Sequence, residues 1–356
     1  PRGDRRIIYV SDPSSIVRHH LPDPVSEGDL RGWVDDLADA GTDTFIQEAY
    51  TQGWTVYWRS ERFEYDARPQ HRRFLPLLDT GVQPLEVLLD QSHRRGMEFM
   101  AGIRVNDDHG LVSVRQGVGA GSSFIGHNPQ WQIKETAGGA RAILSTYMDF
   151  TFQEVRDYVF SAAEEIVDRF DVDGLELCVR DQAYFPEETG RERQPLMTEL
   201  VGRVSEMLRE AGEARGRKLV LGTRVYESLQ ECQDQGLDIP TWTTEGLVDY
   251  ISPQDVQYTA VNAQFEEFAE LTRGTECALY PTLLTWTSVR ARRRLADRPM
   301  SLDQQRAAAQ NFYGAGADGL AFYNHMVTGA IEWAPFYPMM LFDMDELRDP
   351  QRVAQG

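Results

Sequence analysis

Eight short apolar or β-branched runs recur along the 356 residues, each followed by a stretch with helical spacing. They fall at 6–11 (RIIYVS), 43–48 (DTFIQE), 98–105 (EFMAGIRV), 172–179 (VDGLELCV), 218–225 (KLVLGTRV), 248–253 (VDYISP), 276–282 (ECALYPT) and 318–323 (DGLAFY). Parallel strands need a crossover between them, and helical stretches in that position make βα units around a parallel sheet. Eight such units with right-handed crossovers predict one closed (β/α)8 TIM barrel of the α/β class, covering residues 1–356 as a single domain. The tail at 329–356 reads as a final helix or cap.

Helix signals fit between the runs. Ser26, followed by Glu27 and Asp29, starts a helix over 26–40 with a capping residue and an acidic first turn, and Gly41 ends it. Thr151 with Glu154 has the spacing of a capping box for a helix over 151–169. His93, in "QSHRRG", sits at a helix C-terminus, where a cation favours the dipole, and reads as structural. Two connections, 49–83 and 106–150, are too long for ordinary loops and follow the second and third strands, on the face where barrel enzymes place their sites. They carry Trp54, Tyr57, Trp58, Phe63, Tyr65, Phe124, Trp131 and Tyr147. These aromatics fit either a sugar-stacking wall or anchors that fasten the loops to the barrel.

Composition narrows the partners. Hydrophobic residues make up 41% of the chain, and no run approaches the roughly 18 apolar residues of a membrane span. The expectation is a soluble protein without a membrane partner. The compartment stays open between cytoplasm and secretion, because the chain opens at Pro1 and an upstream signal peptide would have been removed. A net charge of −20 argues against nucleic acid, whose phosphates call for a basic surface. Positive charge comes almost wholly from arginine, lysine occurring only at 134 and 218. Cys178, Cys232 and Cys277 show no C-x-x-C spacing and leave one thiol over in any pairing, so neither a disulfide framework nor a structural zinc site is expected. "GVGAGSS" at 117–123 follows no strand and lacks the P-loop lysine, and no G-x-S-x-G elbow is present. No cofactor is expected.

Polar residues concentrate at the C-terminal ends of the strands. They are Gln47 and Glu48 on the second; Arg104, Asn106, Asp107, Asp108 and His109 on the third; and Glu176, Cys178, Arg180 and Asp181 on the fourth. Arg224, Tyr226 and Glu227 follow on the fifth, Gln254 and Asp255 on the sixth, Trp286 beyond the seventh, and Tyr323, Asn324 and His325 on the eighth. Carboxylates facing one mouth among arginines and aromatics suit protonation of a leaving oxygen and stabilisation of an oxocarbenium ion. Crowding of acids raises at least one pKa and supplies the protonated partner. Glu176 and Asp255 are the first candidates for catalytic carboxyls, with Asp108 and Glu48 in reserve. The alternatives are a structural partner of Arg104 or Arg224 for Glu176 and a loop cap after Pro253 for Asp255. His127, Trp58 and the remaining strand-end residues are candidates for substrate binding. The spacing of Asp107, His109 and His127 matches no zinc signature, and no metal is assigned.

"LEVLLDQSHRRGMEF" at 85–99, "VDGLEL" at 172–177 and "VDYISPQ" at 248–254 resemble the family-10-like glycosyl hydrolases, bacterial (β/α)8 glycosidases, over roughly residues 6–325. "RVNDDHG" at 104–110 and "GHNPQW" at 126–131 are similar to further segments of that group. The resemblance implies hydrolysis of an oligo- or polysaccharide, with Gln47, Asn106, Glu176, Gln254 and Asp255 around the pocket. One position departs: related barrels commonly hold an acid where this chain has Cys178. The thiol then lines the barrel as a small buried residue, or supports Glu176, or acts as a nucleophile under nearby arginines. Two rival functions remain beside the hydrolase: a carbohydrate-binding barrel that has lost its acid, and a metal-dependent isomerase or deacetylase.

Overall fold

The computed structural model describes residues 6–107, 109, 121–133, 147–180, 182–255, 259, 263, 265–284, 300–324 and 344–355. Nine strand segments pair in parallel within them: β1 Ile7–Ser11, β2 Thr44–Tyr50, β3 Glu98–Arg104, β4 Gly174–Cys178, β5 Val220–Val225, β6 Tyr250–Pro253, β7 Ala278–Leu279, β8 Thr282–Leu284 and β9 Leu320–Tyr323. All eight expected strands are present. The seventh is cut in two, because Pro281 has no N–H to give to a ladder. Its first half pairs with β6 and its second with β9, so the strand order β7-β6-β5-β4-β3-β2-β1-β9-β8 begins and ends on one continuous stretch of chain. Across the break Tyr280 N donates to Ile251 O at 2.9 Å, Asp318 N to Leu279 O at 2.9 Å and Ala321 N to Pro281 O at 3.0 Å. The sheet is therefore a closed ring of eight staves, the expected α/β barrel.

The strand starts share a device that the sequence reading passed over. Asp43, Asp173, Asp249 and Asp318 precede the second, fourth, sixth and eighth staves. Each accepts the backbone N–H of the neighbouring stave's first turn of ladder: Ile7 at 2.8 Å, Phe99 at 2.8 Å, Leu221 at 2.8 Å and Leu279 at 2.9 Å. His93 closes on Asp173 at 2.8 Å, which bears out its structural reading. Helix Glu27–Asp39 has the expected Ser26 cap, a reciprocal capping box with Asp29, and Gly41 beyond its end at φ +86°. Helix Gln153–Arg169 differs from expectation. Its cap position is Phe152 and Thr151 does not cap it; the Thr151 N–H instead goes to Asp149 Oδ1 at 2.9 Å.

Strand alternation sorts side chains into two shells. Phe45, Phe99, Leu175, Leu177 and Leu221 face the helices, whereas Ile8, Val10, Ile46, Met100, Tyr250, Ala278 and Ala321 fill the barrel. The long connection after β2 is fastened by its aromatics. Trp54, Tyr57, Trp58 and Phe63 are buried, and Phe124 stacks on Tyr158 with ring centroids 3.8 Å apart and on Trp54 at 5.9 Å. Among the described residues, these aromatics act as anchors. Buried Ser14, Asp66 and His71, together with the partly exposed Arg68, tie the same connection to the end of β1, with Ser14 Oγ 2.8 Å from His71 Nε2 and 2.7 Å from Arg68.

Candidate functional site

Parallel registry lines up the interior residues of neighbouring strands. One layer reads Glu48, Gly102, Glu176, Gly222, Tyr250 and Ala278 from β2 to β7. The layer above it reads Arg104, Cys178, Arg224 and Ser252 from β3 to β6. Long side chains alternate with small ones in both, and Glu48 lies against Gly102 and Tyr250 against Gly222. Gly222 shows how tight this is, since a Cβ there would lie 1.9 Å from Cζ of Tyr250. The bare glycine lets the phenol pass from β6 to β4, where its hydroxyl donates to Glu176 Oε2 at 3.0 Å.

The two layers form a buried charge lattice. Arg104 Nε donates to Glu48 Oε2 at 2.6 Å, and Arg224 NH2 donates to Glu48 Oε1 at 2.9 Å. The same Arg224 nitrogen lies 2.9 Å from Glu176 Oε1, a charge contact outside hydrogen-bond alignment. The Arg224 guanidinium stands 4.6 Å over the Tyr323 ring. Glu48, Glu176 and Arg224 expose none of their surface. Charges so desolvated persist only because they are paired. Burial pushes the Glu176 carboxyl above the usual carboxylate range, against the pull of Arg224 and Tyr250. Burial opposes the charge of Arg104 as well, but Glu48, Tyr323, Asp107 and Asp12 outweigh it and hold the guanidinium charged.

Cys178 lies between the two arginines as a small member of its layer. Burial drives its thiol pKa up despite Arg224 and Arg180, so it stays a thiol and not a thiolate. This favours the packing reading over the nucleophile.

Above the lattice lies the mouth. Arg104 NH1 reaches Asp107 Oδ2 at 3.1 Å and NH2 reaches the Tyr323 hydroxyl. Asp107 also accepts the Gly53 N–H at 3.0 Å and faces His109 Nδ1 at 2.9 Å. Burial works against the Asp107 charge, yet His109 and Arg104 together hold the carboxyl far below its ordinary range. The Gln254 amide, oriented with its oxygen towards Arg180, accepts from Nε at 2.8 Å and NH2 at 2.9 Å, and Arg180 stands 5.1 Å over the Tyr323 ring. Asp255 follows β6 and is partly exposed.

Several expected site residues have other tasks. Gln47 lies on the helix-facing side of β2 and donates to Ser11 O at 3.0 Å, because alternation opposes it to Glu48. Asn106 is fully buried and pins two connections, giving its amide N–H groups to Met148 O and Ala183 O at 2.8 and 2.6 Å. Asn324 locks the end of β9 to the end of β1 through Asp12 at 2.6 Å. Trp58 is buried against Phe170, 5.3 Å between centroids, under Arg169. His127 is exposed at the end of the short helix Ser123–His127. Asp108, Asp181, Trp286 and His325 lie outside the described residues. Sequence reasoning missed Asp12, Gly102, Gly222 and Tyr250; the inward period of each strand was the signal for the last three.

A closed parallel barrel with acids and arginines converging at the C-terminal ends of its strands is the architecture of barrel glycosidases. Residues 8–198, more than half of the chain, match the family described as glycosyl hydrolase-like 10, and the chain belongs to that family. Many solved structures share the fold, among them these three. One is α-L-fucosidase isoenzyme 2 from Paenibacillus thiaminolyticus, at 12% identity and TM-score 0.58 over 96% of this chain. This chain spans 49% of the fucosidase chain. An Anoxybacillus α-amylase aligns at 12% identity and TM-score 0.55, over 97% of this chain and 78% of its own. The glycoside hydrolase domain of PgaB (BpsB) from Bordetella bronchiseptica aligns at 13% identity and TM-score 0.54, over 97% and 98%. No curated protein sequence matches the chain.

Proposed function

We propose that this chain hydrolyses glycosidic bonds of an oligo- or polysaccharide at the C-terminal mouth of its barrel. The observation that carries the reading is the division of the polar residues into two levels. Glu48 and Glu176 are neutralised inside the lattice, whereas Asp255, Arg180, Tyr323 and the Asp107–His109 pair stand at the strand ends above it. Asp255 is the carboxylate assigned to the reacting centre, and Arg180 and Tyr323 are assigned to sugar binding. Glu176 acts from below by fixing Arg224. Membership of a glycosyl hydrolase-like family and the glycosidase neighbours support the same class of reaction.

Cys178, in place of an acid, and the complete burial of Glu176 favour a second reading, a barrel that binds carbohydrate without cleaving it. Reducing-sugar release across a polysaccharide panel, beside direct binding measurements, separates the two. The hydrolase reading expects release that Asp255→Asn abolishes, Cys178→Ala largely preserves and a chelator leaves unchanged. Binding without release by the wild type would establish the second reading, and loss of release with a chelator would favour a metal-dependent enzyme.

A further inference from the structure

Cleavage of a glycosidic bond needs a group that carries a proton near neutral pH and reaches the leaving oxygen. Among the described residues of the fourth strand, neither Glu176 nor Cys178 offers one. The thiol is buried between Arg104 and Arg224, and Glu176 has no exposed surface and lies under the Tyr250 hydroxyl. The end of the third strand carries a different arrangement. The His109 side chain is 58% exposed, while its partner Asp107 is 4% exposed. Asp107 Oδ2 faces Nδ1 at 2.9 Å, and Oδ1 accepts the His109 backbone N–H at 2.9 Å. A carboxylate only accepts, so the Nδ1 position carries a proton and Nε2 is the nitrogen that titrates. Gly53 from the connection after β2 and Arg104 from β3 hold the same carboxylate, which fixes the group that the ring faces.

We propose that His109 is the proton-transfer residue of this site, oriented by Asp107. The proposal rests on the hydrolase reading above. The imidazolium gives its Nε2 proton to the leaving glycosidic oxygen as the bond to the anomeric carbon breaks. Water adds its oxygen to that carbon and passes a proton to Asp255. Exchange with solvent then restores both groups. Among the described residues, Asp107 is a charged group in contact with the ring. Behind Asp107 stands Arg104, itself held by Glu48 and, at 3.8 Å, by Asp12. The Asp107 carboxylate, 2.9 Å from Nδ1, is the group that favours the imidazolium over the neutral ring.

The test is the pH dependence of kcat and KM for sugar release by the full chain, on a glycan that the wild type cleaves. Wild type should lose kcat on an alkaline limb as the imidazolium deprotonates. His109→Gln should lower kcat by roughly 10²–10⁴-fold, remove that limb and leave KM within about threefold. Asp107→Asn should keep the limb and move it to lower pH. His109→Gly should regain activity with added imidazole, which a purely structural histidine would not permit. An unchanged limb with kcat within about threefold in His109→Gln overturns the proposal while leaving the hydrolase reading intact. Binding of glycans without cleavage by the wild type overturns both.

Discussion

Replacing Gly222 with alanine tests the interior geometry at its tightest point. The new Cβ would lie 1.9 Å from Tyr250 Cζ and 2.2 Å from its hydroxyl oxygen, distances that no rotamer adjustment of alanine relieves. Tyr250 must leave its place between β5 and the barrel axis, and the 3.0 Å hydrogen bond to Glu176 goes with it. Overpacking of this kind costs about 1–3 kcal/mol, and a buried acceptor stripped of its donor costs about 1–3 kcal/mol more. The expected loss is about 4 kcal/mol. Unfolding entropy of about 2.1 cal/mol/K per residue makes that a fall of roughly 5 °C in Tm for a chain of this length. Urea denaturation followed by tryptophan fluorescence reads the free energy, and a thermal scan reads Tm. The decisive control is the cycle with Tyr250→Ala, because the clash needs the phenol: Gly222→Ala should cost less than about 1 kcal/mol in that background. A loss below about 0.5 kcal/mol in the wild-type background, or equal losses in both, would refute the packing of Tyr250 over Gly222.

Other consequences follow from the same lattice and its surroundings. Glu48→Gln leaves Arg104 and Arg224 without their shared carboxylate and should destabilise the protein by about 3–5 kcal/mol in denaturant titrations. Glu176→Gln, which resembles the protonated form that burial favours, should cost less at pH 7. His20 packs on Trp33, 4.5 Å between ring centroids, and burial lowers its pKa to about 4. The unfolded chain therefore binds this proton first as pH falls. Stability should drop between about pH 6.5 and 4 by at most about 3 kcal/mol, and His20→Gln should remove that part of the slope. Asp107 has the opposite character: its depressed pKa stabilises the fold above about pH 3.9 and is lost on further acidification, so Asp107→Asn should flatten the acid end of the stability curve. All three cysteines are buried, and a thiol reagent at pH 8 should modify the native protein far more slowly than the unfolded chain. Native Cys178 reacting as fast as an unfolded thiol would contradict its burial and its raised pKa.

The barrel was legible because its signal is local and repeated. Each apolar run carries its own alternation, and eight of them left little room for another topology. The alternation also placed Glu176 and Cys178 correctly on the inner face. What it did not show was their depth. Glu176 is buried because Gly222 admits Tyr250 from a strand some 75 residues later, and because Arg224 arrives from β5 in register with Cys178. Such facts depend on register between distant strands. Gln47 and Asn106 were misjudged for a related reason: residues at a strand's end serve the barrel's connections as often as its mouth, and only their hydrogen-bond partners tell which. Thr151 had the spacing of a capping box, but Asp149 took its N–H and the helix began two residues later.

The lattice also explains why a thiol is tolerated at position 178, where the resemblance in sequence leads to the expectation of an acid. Glu48 already bridges Arg104 and Arg224, and Glu176 contacts Arg224 from the other side. A carboxylate at position 178, between the same two guanidiniums, would compete with Glu48 for their donors, whereas a small apolar residue leaves both arginines to the layer below. Arg104 is then the link between levels: its Nε is fixed on Glu48 in the floor while its NH1 holds Asp107 at the mouth. Loss of Glu48 should for that reason do more than destabilise. It frees Arg104 to rotate, removes one of the supports of Asp107, and should lower activity through the orientation of His109 even in the fraction that stays folded.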